Sequence, residues 1–162
     1  PAVQACVLTV STSVARRQRE DEAGPLLAEL AEAAGLAVEA MEVIPDDAAL
    51  IQDRLHHYVD DGYAVVLTTG GTGPAPDDLT PEATRAVIER PAPGLAEAIR
   101  AAALARTPLG ALDRGVAGIA GRTLIINFPG DAQAVRDTFP AVAPTLQHAV
   151  RMLRPTDARD GG

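Results

Sequence analysis

The stretch Val3 to Val10 (VQACVLTV) most constrains the fold, because it is a nearly continuous apolar run of β-favouring residues. A strand that is apolar on successive positions is buried on both faces, which is the habit of parallel sheets covered by helices. Tyr63 to Thr69 has the same character, while Leu36 to Ile44 (LAVEAMEVI) alternates at its centre and suits a strand nearer the sheet edge. Between these runs lie helical patterns. One is carried by Leu26, Leu27, Leu30 and Ala34 and stopped by Gly35; another is carried by Leu50, Ile51, Leu55, Tyr58 and Val59. Val14 to Glu20 reads as a charged loop. Further helices follow Pro81 and Pro93, and Pro108-Leu109-Gly110 ends the second. Gly115 to Ile119 and Thr123 to Asn127 read as two short strands joined by a tight turn, and a helix broken by Pro140 and Pro144 runs from about Ala132 to Leu153. Strands alternating with helices predict an α/β three-layer sandwich with a mostly parallel central sheet. Residues 1–153 are expected to form one domain, with 154–162 as a polar C-terminal tail.

In such sheets the ligand crevice lies beyond the carboxyl ends of the strands. Ser11 to Ser13, Pro45 to Asp47, Thr69 to Gly73 and Asn127 to Gly130 are all strand-end segments. The richest is Thr69-Gly70-Gly71-Thr72-Gly73, where three glycines in four residues let backbone N–H groups approach a ligand. A loop of this kind between a strand and a helix N-terminus is a place for a phosphate. Asp77 and Asp78 follow at once, and carboxylates beside phosphates point to a divalent cation.

Several function classes are disfavoured. The net charge of −8 leaves no basic field for a nucleic acid. No apolar segment is long enough to span a bilayer, and no signal-peptide pattern is visible, so a cytoplasmic location is expected. Cys6 is the one cysteine, which rules out a disulfide within the chain. His56 and His57 are adjacent on a helix and point apart, and His148 stands alone, so all three are assigned to surface or core rather than to metal. Arg16, Arg17 and Arg19 read either as a solvated loop or as a clamp that closes on an anion.

With these residues assembled, the chain resembles the molybdenum-cofactor family that includes MogA, MoaB and the homologous domain of gephyrin. The resemblance rests on Thr69 to Gly73 followed by Asp78-Leu79-Thr80-Pro81-Glu82-Ala83-Thr84, on Asp21 to Pro25, on Pro93 to Arg100, and on Gly118 to Gly130. It implies a MogA/MoaB-like fold and transfer of AMP from ATP to the terminal phosphate of molybdopterin, with release of pyrophosphate. Mg²⁺ is the implied cofactor, with ATP and molybdopterin as substrates. By motif position, Asp46 and Asp78 would be the catalytic, metal-holding pair. Thr69, Gly70, Gly71, Thr72, Gly73, Asn127, Pro129 and Gly130 would bind ATP and its phosphates. Ser11, Asp21, Thr80, Glu97 and Arg114 would fall on the molybdopterin side. The resemblance further implies a homotrimer or hexamer, and the downstream molybdenum insertase as a partner.

For Asp46 the plainer reading is a helix cap, and for Asp78 a turn residue before the Pro81 helix, where Thr80 is the better cap. Asp77 is the solvated neighbour. Four positions depart from the family pattern: Asp77 stands for an Arg, Asp113 for a Ser, Asp131-Ala132 for Ser or Asn then Pro, and Ala23 for a Ser. Three of these add negative charge near the site. A non-catalytic MoaB-like protein that binds molybdopterin or serves as an assembly partner is therefore the alternative expectation, and a more generic phosphoester-binding domain is a third.

Overall fold

The computed structural model describes residues 2–155. Six strands form one sheet in the order β2-β1-β3-β6-β5-β4: β1 (Val3–Val10), β2 (Leu36–Ile44), β3 (Val65–Thr69), β4 (Arg90–Pro91), β5 (Ala117–Ala120) and β6 (Thr123–Phe128). β1 lies parallel to both β2 and β3, and β3 parallel to β6. The hairpin β5–β6 and the short β4 add an antiparallel margin. Helices α1 (Thr12–Ala15), α2 (Ala23–Ala33), α3 (Ala48–Asp60), α4 (Thr80–Val87), α5 (Pro93–Arg106), α6 (Ala132–Val142) and α7 (Leu146–Leu153) connect and follow the strands.

The period-two pleat sorts the apolar runs onto two cores. Ala5, Val7, Val65, Leu67, Leu124 and Ile126 face α2, α5, α6 and α7, where Leu27, Ile99, Phe139 and Leu146 pack against them. Cys6, Leu8, Val10, Val66 and Ile125 face α3 and α4, meeting Ile51, Leu55, Ala83 and Val87. Helices thus cover both faces, and the continuous apolar character of β1, β3 and β6 follows from that. Each fully buried Leu or Ile in these layers contributes about 1.5–3 kcal/mol relative to exposure. β2 is the edge strand its alternation implies.

Some elements differ from the sequence reading. The stretch from Val14 is not all loop, because Ser11 caps the one-turn α1 by accepting from the Val14 amide at 3.3 Å. β4 has no strand signature, since it is two residues long and contains a proline. Pro140 is accommodated inside α6, whereas Pro144 sits in a 3₁₀ turn, Ala143–Thr145, that separates α6 from α7. Arg154, assigned to the tail, is anchored: its guanidinium donates to the carbonyls of Arg122 and Tyr63, each at 3.0 Å. The rest of the assigned tail, 156–162, lies outside the described residues.

Sheet order reverses direction between β1 and β3, since β1 is followed by β2 on one side and β3 lies on the other. In open α/β sheets a crevice forms at such a point, above the carboxyl ends of the strands.

Candidate active site

At the end of β3 the chain turns sharply through Gly70 (φ 100°) and Gly71 (φ 70°). Side chains rarely adopt this left-handed backbone. The space is also filled: a Cβ on Gly70 would strike the Val10 carbonyl oxygen, and one on Gly71 the Thr80 hydroxyl. Hydrogen bonds hold the turn in place. Thr80 donates its hydroxyl to the Gly70 carbonyl (2.9 Å) and its amide to the Gly71 carbonyl (3.1 Å), while the Gly70 amide donates to the Phe128 carbonyl (3.1 Å). Thr69 donates its hydroxyl to the Pro129 carbonyl at 2.6 Å. Among the described residues, the amides of Gly71, Thr72 and Gly73 donate to no protein group. Successive free amides of this kind form an anion-binding concavity.

The carboxylates around this turn are held differently. Asp47 caps α3, accepting from the Leu50 amide at 2.9 Å, so Asp46 is not the cap. Asp46 Oδ2 instead accepts from the amide (3.0 Å) and hydroxyl (2.8 Å) of Thr12, and the Asp46 amide donates to the same hydroxyl (3.0 Å). Its Oδ1 has no protein donor and lies toward Gly71, 3.4 Å from where a Cβ there would sit. Asp78 Oδ2 accepts from the Ala75 amide at 2.9 Å and approaches Gly73. α4 carries no side-chain cap, so neither Asp78 nor Thr80 plays that part. Both Asp21 oxygens are engaged, Oδ2 accepting from the Thr9 hydroxyl (2.8 Å) and Oδ1 from the Gly24 amide (2.9 Å).

These groups line a cleft of about 520 Å³ above the strand ends. Of the residues singled out in the sequence, the cleft brings together Ser11, Asp21, Asp46, Thr69, Gly70, Gly71, Asp78 and Gly130. Thr72 and Thr80 are buried behind the turn. Gly73 and Pro129 also lie outside the lining. Asn127 is interior rather than a wall. Its amide nitrogen donates to the hydroxyls of Thr68 (2.9 Å) and Thr84 (3.1 Å), and its oxygen accepts from the Val116 amide (3.1 Å). Glu97 is exposed on α5 and reaches neither this cleft nor the second cavity. Of the loop arginines only Arg19 lines the cleft. The lining also includes Ser13 and Asp131, which the sequence puts at strand ends near the site, and Thr9, Glu20 and Glu22, which sequence reasoning did not place there. Asp131 caps α6 through the Ala134 amide (3.1 Å), and this N-cap pattern at a strand end was its signal.

A second cavity, of about 620 Å³, lies beside α4 and α5, with Arg100, Asp113 and Arg114 among its polar lining. The Asp113 side chain is 8% exposed. Its Oδ1 is buried without a partner, and its Oδ2 is 3.7 Å from the Arg100 guanidinium. Burial pushes the Asp113 carboxyl above the ordinary carboxylate range, against the Thr72 hydroxyl and Arg100, which favour its charged form. Arg114 lines this cavity on one side, but its guanidinium is turned to Gly73, Asp78 and Glu82. That contact with Arg114 holds the Glu82 carboxyl below its usual range.

The histidines are surface groups; His57 pairs with Asp61 at 3.1 Å on α3. Among the described residues no three or more His, Cys, Asp or Glu side chains converge as a ready-made metal cage.

Comparison with known proteins gives a consistent picture. The family described as "Probable molybdopterin binding domain" matches residues 6–148. The crystal structure of the molybdopterin biosynthesis enzyme MoaB from Thermus thermophilus superposes with a TM-score of 0.90 at 41% identity, covering 95% of this chain and 98% of that one. The molybdenum cofactor synthesis protein cinnamon of Drosophila melanogaster is 39% identical over 149 residues, 91% of this chain but 25% of that protein. Molybdopterin adenylyltransferase of Helicobacter pylori strain J99 is 39% identical over 113 residues, 69% of this chain and 64% of that protein. The chain therefore spans less than two thirds of these two curated relatives.

Proposed function

The chain belongs to the molybdopterin-binding family of molybdenum-cofactor biosynthesis, and from that premise we propose that it is a molybdopterin adenylyltransferase. It would transfer AMP from ATP to the terminal phosphate of molybdopterin. One observation carries the reading: Asp46 presents an unpartnered carboxylate oxygen to Gly71, whose own amide is free, at the meeting of four strand ends.

In the proposed reaction a phosphate oxygen of molybdopterin attacks the α-phosphorus of ATP. The bond from that phosphorus to the bridging oxygen breaks, and pyrophosphate leaves with its electron pair. No protein nucleophile is needed; the site has to align two anions and stabilise their charge. The free amide of Gly71, on the cleft wall, suits a phosphate, and the rigid turn fixes its direction. Asp46 and Asp78 offer hard oxygen donors, and Mg²⁺ is commonly held by one or two carboxylates with waters and substrate phosphates completing the shell. Asp46 and Asp78 would hold the ion, which supplies neutralisation of phosphate charge. We expect molybdopterin to extend toward Ser11, Asp21 and the remaining cleft.

A second reading, binding of molybdopterin without turnover of ATP, is favoured by the cleft's charge. Glu20, Asp21, Glu22, Asp46, Asp78 and Asp131 line it, against Arg19 alone among its lining cations. A homotrimer or hexamer is also proposed, and light scattering reads it directly.

The test is pyrophosphate release from ATP and Mg²⁺, with and without molybdopterin. Adenylyl transfer requires release that depends on molybdopterin and falls at least about a hundredfold in Asp46→Asn and in Asp78→Asn, the scale of one lost charge-stabilising contact. Tight molybdopterin binding with no pyrophosphate release would favour the second reading.

A further inference from the structure

Residues 73–78 connect the glycine turn to α4 with no regular secondary structure, and Pro74 to Asp77 are exposed. Within the segment the Ala75 amide donates to Asp78 Oδ2 (2.9 Å) and the Asp78 amide to the Ala75 carbonyl (3.0 Å). Among the described residues, every hydrogen bond joining this segment to the rest of the protein comes from one side chain. Arg114 Nε donates to the Gly73 carbonyl and Nη2 to the Asp78 carbonyl, each at 2.8 Å. The same guanidinium grips Glu82 in the first turn of α4, Nη1 to Oε2 at 2.7 Å and Nη2 to Oε1 at 3.3 Å. The Arg114 backbone is fixed in turn, its amide donating to the Thr72 carbonyl at 2.8 Å.

We propose that Arg114 is a positioning residue, whose guanidinium closes the segment at both ends and so sets the placement of the Asp78 carboxylate against the Gly70–Gly73 turn. The planar fork of an arginine can bond two carbonyls and a carboxylate at once, whereas a lysine ammonium is a single point donor. Four of the five guanidinium N–H groups are taken up within the protein, one on Nε, one on Nη1 and two on Nη2, so Arg114 acts on the nucleotide end through Asp78. The inference deepens the adenylyltransferase reading, and only its kinetic arm rests on that reading.

The experiment is amide hydrogen exchange on the full chain without ligand, for Arg114→Ala, Arg114→Lys and Glu82→Gln, followed by steady-state kinetics. Arg114→Ala is expected to speed exchange at Ala75 and Asp78 by about tenfold while β3 amides keep their protection, because the opening is local. Lysine is expected not to restore protection. Glu82→Gln, which leaves both carbonyl bonds in place, should have a smaller effect. In turnover, the MgATP KM should rise by about tenfold in Arg114→Ala with the molybdopterin KM unchanged. Unchanged exchange at Ala75 and Asp78, full rescue by lysine, or a rise confined to the molybdopterin KM would each overturn the proposal. A protein that never turns over ATP leaves the exchange result to decide alone, and global loss of β3 protection in Arg114→Ala passes the decision to Arg114→Lys.

Discussion

Two adjacent aspartates, Asp46 and Asp47, do different work, and the division decides which one faces the cleft. Asp47 caps α3, and Asp46 is turned back by Thr12 so that Oδ1 is left toward Gly71. Sequence spacing alone does not separate them, because either Asp after Pro45 satisfies the capping rule. Asp113 is a different case: its partnerless Oδ1 is buried, and its proton is held more tightly in the folded chain than in the unfolded one. As pH rises above the ordinary value of 3.8, the unfolded chain releases this proton first. Stability is therefore lost between that value and the raised folded one. Asp113→Asn removes the buried charge at similar volume and should stabilise the protein at pH 7 by about 1 kcal/mol. The gain should shrink toward pH 4 and below, a trend that thermal melts across pH will show.

The elements carry the site by holding two left-handed glycines at the end of β3. Gly71→Ala combines φ 70° with a collision at Thr80, and should cost about 1–3 kcal/mol. Gly94→Ala, early in α5, meets open space and should be neutral or stabilise by about 0.4–1 kcal/mol. Differential scanning calorimetry of the two variants separates strain at the turn from a general effect of adding a methyl. Much of this level was legible beforehand. β1 and β2 match their apolar runs from end to end, and Gly35 stops α2, because burial imposes periods that the residues display. Long-range polar ties were not legible. Asn127 is written like a loop residue yet bridges Thr68, Thr84 and Val116 inside the protein. Thr80 looks like a helix cap, but its hydroxyl serves Gly70 from another element. Glu97 lines neither cavity although Ala96 and Arg100 on the same helix line the second, and nothing in its local pattern reveals that. Such placements depend on which strand ends become neighbours.

At the scale of the whole molecule, the net charge of −8 and the acidic rim of the cleft oppose the entry of a bare triphosphate. One unpaired like charge near a partly dehydrated phosphate costs about 1–3 kcal/mol, or about ten- to a hundredfold in affinity. Calorimetry should therefore find that chelating Mg²⁺ weakens ATP binding at least about tenfold, and that added salt strengthens MgATP binding less than that of free ATP. Equal affinity with and without Mg²⁺ would remove Asp46 and Asp78 from the proposed metal role. The central claim is adenylyl transfer in this cleft, and its most direct test is the mass of the product. Molybdopterin incubated with ATP, Mg²⁺ and the protein should gain the mass of AMP on its terminal phosphate as pyrophosphate accumulates, and should fail to do so with Asp78→Asn. Unmodified molybdopterin after ATP is consumed, or product formation undiminished in Asp78→Asn, would contradict it.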